Sequence, residues 1–313
     1  MASASPPSSP QLRAPRGSLG RVLSVVGVLL VLVAVWEGYK ILGKSAGGMI
    51  PFTEIRLRPP PDDRSMPHVW DIVAAMFQPS RRGGDPLWMT LGSAALFTLR
   101  EAFAGFVVGG LIGFGLGVLF VRSGLAERAF LPYVVASQTI PILAIAPMVV
   151  IWGGRIGLPQ WAAVAAIAAY LTFYPVTINT LRGLRSPAAT ATELMRSYAA
   201  SDRQELWKLQ VPSALPYIFT ALKISAAASV VGAIVGELPV GASAGLGRAL
   251  LSYSQQFTAA PEKLYAAVLF CALTGVAFVA AVSLAERRVV GPGDRRRAEA
   301  ELGAGLMAGA QPA

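Results

Sequence analysis

AFAGFVVGGLIGFGLGVLFV, Ala102 to Val121, runs for twenty residues without a charge or a strongly polar side chain. As a helix it is about 30 Å long, the thickness of the hydrocarbon core of a bilayer. Gly105, Gly109, Gly113 and Gly117 recur every four residues and form one smooth stripe on that helix. In water each glycine weakens a helix by up to about 1 kcal/mol relative to alanine. In lipid, small residues at this spacing let two backbones approach closely, where apolar burial alone drives little association. The stretch reads as a membrane span with a packing face, so the fold class is all-α and polytopic.

Composition agrees. Of 313 residues, 54% are hydrophobic and only 14% are charged, and the mean hydropathy is +0.55. A soluble domain carries roughly 25% charge. One histidine and one cysteine, His68 and Cys271, exclude a His/Cys metal cluster and an intrachain disulfide. Cys271 lies in an apolar run and reads as a small buried side chain. His68 lies in a polar segment and reads as solvated. The net charge of +10 fits basic loops facing an anionic leaflet better than nucleic acid.

Six stretches are long and apolar enough to span: Val22–Leu42, Ala102–Val121, Ala129–Trp152, Leu158–Leu181, Leu215–Val235 and Leu264–Ala285. Basic residues set their orientation. Arg13, Arg16 and Arg21 precede the first span, and Arg122 and Arg128 follow the second. Arg182, Arg185, Arg196, Arg203 and Lys208 lie between the fourth and fifth, and Arg287, Arg288 and Arg295 to Arg297 follow the sixth. The alternate loops hold fewer. Both termini are therefore expected in the cytoplasm of a bacterial plasma membrane. The chain then divides into a tail 1–21, a first span 22–42, an extracytoplasmic segment 43–90, a transmembrane domain 91–288 and a second tail 289–313. Both tails are expected to be disordered.

GYKILGKS, Gly38 to Ser45, fits the phosphate-cradling pattern G-x-x-x-x-G-K-[ST]. That pattern binds phosphate only between a short strand and a helix start. Here it closes a long hydrophobic run, AGGMIP follows it, and positive-inside puts it on the side without ATP. It is a coincidence, and no cofactor is expected.

The third span, AFLPYVVASQTIPILAIAPMVVIW, contains Pro132, Pro141 and Pro147, each of which removes a backbone hydrogen bond. Freed carbonyls at membrane depth are tolerated against protein or a watery cavity. Ser137, Gln138, Thr139 and Pro141 are thus candidates for lining a translocation path, the alternative being interhelical hydrogen bonds. Arg100 and Glu101 adjoin the second span, where they can snorkel or pair. Glu237 ends the fifth span before a glycine-rich turn, LPVGASAGLG, and is either a gate to the path or a solvated helix end.

SPAATATELMRSYAASDRQELWKLQVPSALP, Ser186 to Pro216, is the most informative stretch between spans. Ser186-Pro187 is a good N-cap and first-turn pair, Thr190 to Glu193 repeats the capping-box spacing, and Ser201 with Gln204 forms a second capping box. Two short helices therefore meet at Tyr198-Ala199-Ala200, and the second should stop before Pro212. Leu206 and Leu209 offer an apolar face, flanked by Arg203 and Glu205.

This loop resembles the EAA loop of permease subunits of bacterial ABC importers. Glu193 takes the acidic position, Leu194 and Met195 stand for the two alanines, Ala199-Ala200 for Gly-Ala, and Val211-Pro212 for the terminal pair. QTIPILAIAPMVVIWGG and ALPYIFTALKIS fit as well. The resemblance covers roughly Thr90 to Arg288 and is closest to the nitrate/sulfonate/taurine-type group, which also includes permeases for pyrimidine, thiamine-precursor or flavin-like compounds. It implies a MetI-like core of about six helices, a permease homodimer, two copies of a separate ATPase subunit and an extracytoplasmic solute-binding protein. It also implies that Glu193, Ala199, Ala200, Ser201, Arg203, Leu206, Leu209 and Pro212 couple to the ATPase. If position 199 needs a positive φ, alanine costs about 1 kcal/mol there. A secondary transporter would need an ion site at mid-membrane and commonly shows an internal repeat. A membrane enzyme would need acid–base partners beyond the scattered Glu37, Glu101 and Glu237.

Overall fold

The computed structural model describes residues 18–45, 60, 62–81, 83–239 and 244–290. It divides into two compact units, residues 1–73 and 74–313. The two tails expected to be disordered, and residues 240–243 of the glycine-rich stretch, lie largely or wholly outside the described residues.

In the first unit, α1 (Ser18–Ser45) is one continuous helix. Its segment Leu23–Ser45 is apolar enough to span a membrane. Gly38 to Ser45 forms its last turns, with Ser45 Oγ donating to the Leu42 carbonyl and Lys44 Nζ donating to Asp63 at 3.0 Å. A helical backbone turns its amides along its own axis, so these residues build no phosphate cradle. Lys40, fully buried, lies 2.6 Å from Asp63. The ammonium groups of Lys40 and Lys44 beside it hold the Asp63 carboxyl down at about 2. His68 is not simply solvated. Its Nδ1 lies 2.6 Å from Glu37 Oε2 and its ring stacks on Trp70, and the first of these contacts joins residues 31 apart and leaves no trace in local composition.

The second unit is built on five long helical segments. A short helix, α2 (Val69–Phe77), leads in, and α3 (Leu87–Arg122) follows. The third expected span is not one helix. It forms α4 (Gly124–Ala136), a 3-10 turn (Ser137–Thr139) and α5 (Ile142–Arg155), bent by 99°. Pro132 and Pro147 stay inside their helices, whereas Pro141 caps α5 in extended conformation. Then come α6 (Gln160–Leu184), α7 (Ala189–Ser197), α8 (Asp202–Glu205), a widened π turn (Leu206–Gln210) and α9 (Val211–Glu237). A short α10 (Leu246–Gln255) precedes α11 (Pro261–Val289). Among the described residues no strand is formed beyond one isolated bridge, Pro79 with Pro86.

The glycine stripe of α3 lies against α6. A Cβ on Gly105 would come within 2.4 Å of Ala168 Cβ, on Gly109 within 2.5 Å of the Ala169 carbonyl, on Gly113 within 2.5 Å of the Phe173 carbonyl and on Gly117 within 2.7 Å of Thr180 Cβ. Contact partners advance together along both helices, so α3 and α6 run parallel. The chain between them must therefore cross back once, and α4 with α5 together make that single bent crossing. With α1, and with the bent pair taken as one, the described residues hold six candidate spans. On its other side α6 meets α9 antiparallel: Gly232 abuts Ala168, and Gly236 abuts Val164. Ala168 is gripped between Gly105 and Gly232. Ala102, Val164, Ala226, Val230, Ala233, Phe278 and Val282 close the core where α3, α6, α9 and α11 meet. Cys271 is half-buried rather than buried, because α11 packs along one face only.

Candidate functional site

Three features stand out along the bundle: a hairpin between α6 and α9, the break between α4 and α5, and a carboxyl pair at the opposite end of α3 from the hairpin.

The hairpin begins later than the Ser186-Pro187 pair suggests. Helix α7 starts at Ala189 behind Ala188, without a side-chain cap. Ser186 Oγ instead donates to the Gly183 carbonyl, closing the end of α6. At the other end of α7 the Ala200 amide donates to the Met195 carbonyl (3.0 Å) and the Ala199 amide to that of Arg196 (2.9 Å). That pair of bonds is a Schellman termination, whose penultimate residue adopts a left-handed conformation best suited to glycine. Ala199 occupies it with φ +50°, alone among the described non-glycine residues. Ser201 then caps α8, and Gln204 returns the bond to the Ser201 amide at 2.9 Å. Termination and new start sit back to back, so the corner at Ala199-Ala200 is stiff.

Pro212 does not stop the second helix. The π turn widens the backbone, the Val211 amide bonds to the Leu206 carbonyl, and Pro212 falls in the first turn of α9, where its missing N–H costs least. From Asp202 to Glu237 the chain is thus one helical rod. Leu206, the first residue of that turn, faces inward. It is 7% exposed and packs with Leu184 and Ala214, so it anchors the hairpin rather than presenting a face. Leu209 is half-buried, while Glu193, Ser201 and Arg203 are exposed. The large apolar groups that face outward are Leu194, Tyr198 and Trp207, at 58%, 79% and 55% exposure. Hydropathy does not tell which of Leu206 and Trp207 turns inward, so local sequence does not separate anchor from surface.

Two arginines fasten this end. Arg122, the last residue of α3, donates to the Asp202 carbonyl and lies 3.8 Å from its carboxylate. Arg185 makes a two-pronged contact with Glu127 (2.9 and 2.5 Å), tying the end of α6 to the start of α4. Sequence reasoning counts both only as orienting charges.

At the break, Ser137 Oγ and Thr139 Oγ1 donate to the Val134 and Ala136 carbonyls (2.7 and 2.8 Å), and Tyr170 OH donates to the Ser137 carbonyl. Gln138 is exposed, and its amide donates to Ser137 Oγ at 3.3 Å. The carbonyls freed around Pro141 are thus met from side chains; Gln138 and Thr139 are both exposed, and of the two only Thr139 spends its polar group on a backbone carbonyl.

Glu237 is no solvated helix end. It is 1% exposed, as is Glu101, and the two buried carboxyl groups lie close enough to interact, with Glu101 Oε2 and Glu237 Oε1 left without a hydrogen-bond partner among the described residues. Glu237 also accepts from the Gly247 amide at 2.6 Å, and Thr98 Oγ1 accepts from the Leu246 amide at 2.8 Å. A Cβ on Gly245 would fall 2.3 Å from the Glu237 carboxyl carbon, and Gly245 has φ +107°. The N-terminus of α10 is clamped onto α3 and α9. Arg100 points the other way, over the ring of Trp161 at 5.6 Å.

Residues 105–291 match the family model for the binding-protein-dependent transport system inner membrane component. The chain is 34% identical over 228 residues to the formylaminopyrimidine transport permease protein ThiX of Halalkalibacterium halodurans, covering 70% of this chain and 88% of that one. It is 32% identical to the riboflavin transport system permease protein RibX of Chloroflexus aurantiacus (65% and 75% covered). To the putative aliphatic sulfonates transport permease protein SsuC of Bacillus subtilis it is 29% identical (62% and 67%). Among solved structures, the inward-facing MetNI methionine ABC transporter superposes with a TM-score of 0.58 at 20% identity, covering 66% of this chain and 100% of that one. This last likeness concerns the fold.

Proposed function

The chain belongs to the family of binding-protein-dependent transport system inner membrane components, and from that premise we propose that two copies of it line the path of a small polar solute through the membrane. It is a multi-pass inner-membrane permease subunit of an ABC importer, a transport component rather than an enzyme, and works with an ATPase and a solute-binding protein. Two ATPase copies dock at the hairpin between α7 and α8, and the binding protein delivers solute at the opposite end of α3. The stiff corner at Ala199-Ala200 carries this reading, because it is continuous with the rod that becomes α9. A displacement of the corner by closure of the ATPase pair is thereby transmitted to the core of the bundle. Glu193, Ser201 and Arg203 supply polar contacts, with Leu194, Tyr198 and Trp207 the apolar ones.

Parallel α3 and α6 put the arginine-rich connections and the end of α11 on the hairpin side, which supports a cytoplasmic hairpin under the positive-inside rule. A cysteine at Ala259, in a Cys271→Ala background, should react with impermeant thiol reagents from outside intact cells; protection until lysis would reverse the orientation. The solute class suggested by the relatives is a heterocyclic vitamin precursor or a small organic anion. Reconstituted with its ATPase and binding protein, the permease should support uptake that requires ATP and persists without an ion gradient. Gln138→Leu should slow that uptake by roughly tenfold, the scale of one lost polar contact in a dry path, while the ATPase still co-purifies. Uptake kinetics equal to the parent would return Gln138 to a packing role.

A further inference from the structure

A cavity of about 420 Å³ opens at the end of α3 away from the hairpin. Its walls are three separate pieces of chain: residues 80–81, the first turns of α3 and the length of α10 with the residues just before it. Each piece is fixed by bonds that do not involve the cavity itself. The Ser80 amide bonds to the Asp85 carbonyl and the Leu87 amide to that of Gln78, closing the turn that carries Arg81 (both 2.9 Å). Lys263 Nζ, at the start of α11, donates to the carbonyls of Pro79 and Ser80 at 3.4 and 3.2 Å. The α10 wall is clamped through Leu246 and Gly247 to Thr98 and Glu237. The shape is preformed, and its volume falls in the range of small-molecule sites.

The lining is chemically one-sided. Arg81 and Arg248 bring two guanidinium groups, and no acidic residue is among the described residues that line it. Ser93 and Ser252 add hydroxyls, and Tyr253 adds a phenol close enough to Arg81 to feel its charge. Burial pushes the Tyr253 phenol up, so it stays a hydrogen-bond donor at neutral pH. Phe97 supplies an apolar wall. Guanidinium forks and hydroxyl donors match a carboxylate or sulfonate, and an aromatic wall matches a flat or apolar remainder. The polar trio before Pro141, by contrast, brings no charge.

We propose that this cavity is a receiving site for a small organic anion bearing an apolar part, held between Arg81 and Arg248 before it enters the path. The inference rests on reading the chain as a permease whose α10 end faces outward. It makes the entrance of the permease, and not the binding protein alone, selective for negative charge.

Benzenesulfonate and its neutral counterpart benzenesulfonamide separate charge from shape. Binding of each to the purified permease in nanodiscs is measured by saturation-transfer NMR titration, for the parent, for Arg81→Gln and for Arg81→Gln/Arg248→Gln. The parent should bind the sulfonate saturably and the sulfonamide at least roughly tenfold more weakly. The double variant should lose at least roughly tenfold in sulfonate affinity, the consequence of removing charge-assisted hydrogen bonds. Arg81 is exposed, so the single variant keeps its fold and should show part of the loss. No saturable sulfonate binding to the parent, equal binding of the sulfonamide, or variants within about twofold of the parent would overturn the proposal. ATPase co-purification is followed alongside: if it persists while anion binding is absent, the cavity assignment fails and the permease reading stands.

Discussion

Gly109→Ala is expected to remove most of the folded permease, at a cost of about 3 kcal/mol, the upper end of overpacking penalties. One methyl group decides this because the added Cβ would lie 2.5 Å from the Ala169 carbonyl oxygen, 2.7 Å from Thr172 Cβ and 2.9 Å from Ala169 Cα. Two of those atoms are backbone, which cannot rotate aside. Relief requires the two helices to part along a seam made at four successive turns, so the loss spreads beyond the site. A Cβ added at Gly115, on the same helix, would meet nothing within 4 Å. Gly115→Ala should therefore be neutral or stabilising by up to about 1 kcal/mol through helix propensity. Fluorescence-detected size exclusion with thermal melting reads both variants. Equal behaviour of the two alanines would mean that the α3–α6 seam is not the packing core.

Ala200→Asp is expected to leave the chain in the membrane and abolish both ATPase co-purification and uptake. Ala200 is half-buried at the corner, with its amide committed to the Met195 carbonyl. A carboxylate placed there and covered by a partner would be an unpaired buried charge, costing several kcal/mol. Two neighbours sharpen the test. Ala199→Gly relieves a left-handed φ and should stabilise the corner by about 1 kcal/mol with coupling intact. Leu206→Ala should loosen the hairpin's own seat, by roughly 2–5 kcal/mol for a buried leucine, without touching the docking face. Full co-purification of the Asp variant would remove the coupling role from the corner.

What the sequence determined by itself was every property that a residue carries locally. Hydropathy is summed residue by residue, so the apolar runs and their number were legible, as was the family through its loop and flanking motifs. Capping is a four-residue affair, so the start at Ser201 was legible too, whereas Ser186 caps no helix start because its hydroxyl has a second acceptor within reach in the helix before it. Proline positions announced a disturbance in the third span but not which of three would break it. Only Pro141 follows a polar trio able to meet the freed carbonyls, and the 99° bend falls there.

Tertiary structure decided whatever depends on which distant residues meet. The stripe at Gly105 to Gly117 is written in the sequence; its partner, α6, and the parallel sense that makes α4 and α5 one crossing are not. Glu101 and Glu237 lie far apart in the chain and look like two isolated acids until the fold closes them together. Leu206 and Trp207 are adjacent apolar residues, yet packing against Leu184 and Ala214 takes one into the core and leaves the other outside. Arg81 and Arg248 share a cavity because three segments, each held by its own hydrogen bonds, converge around it. A pairing energy belongs to two residues at once, so it exists only after the chain has brought them together.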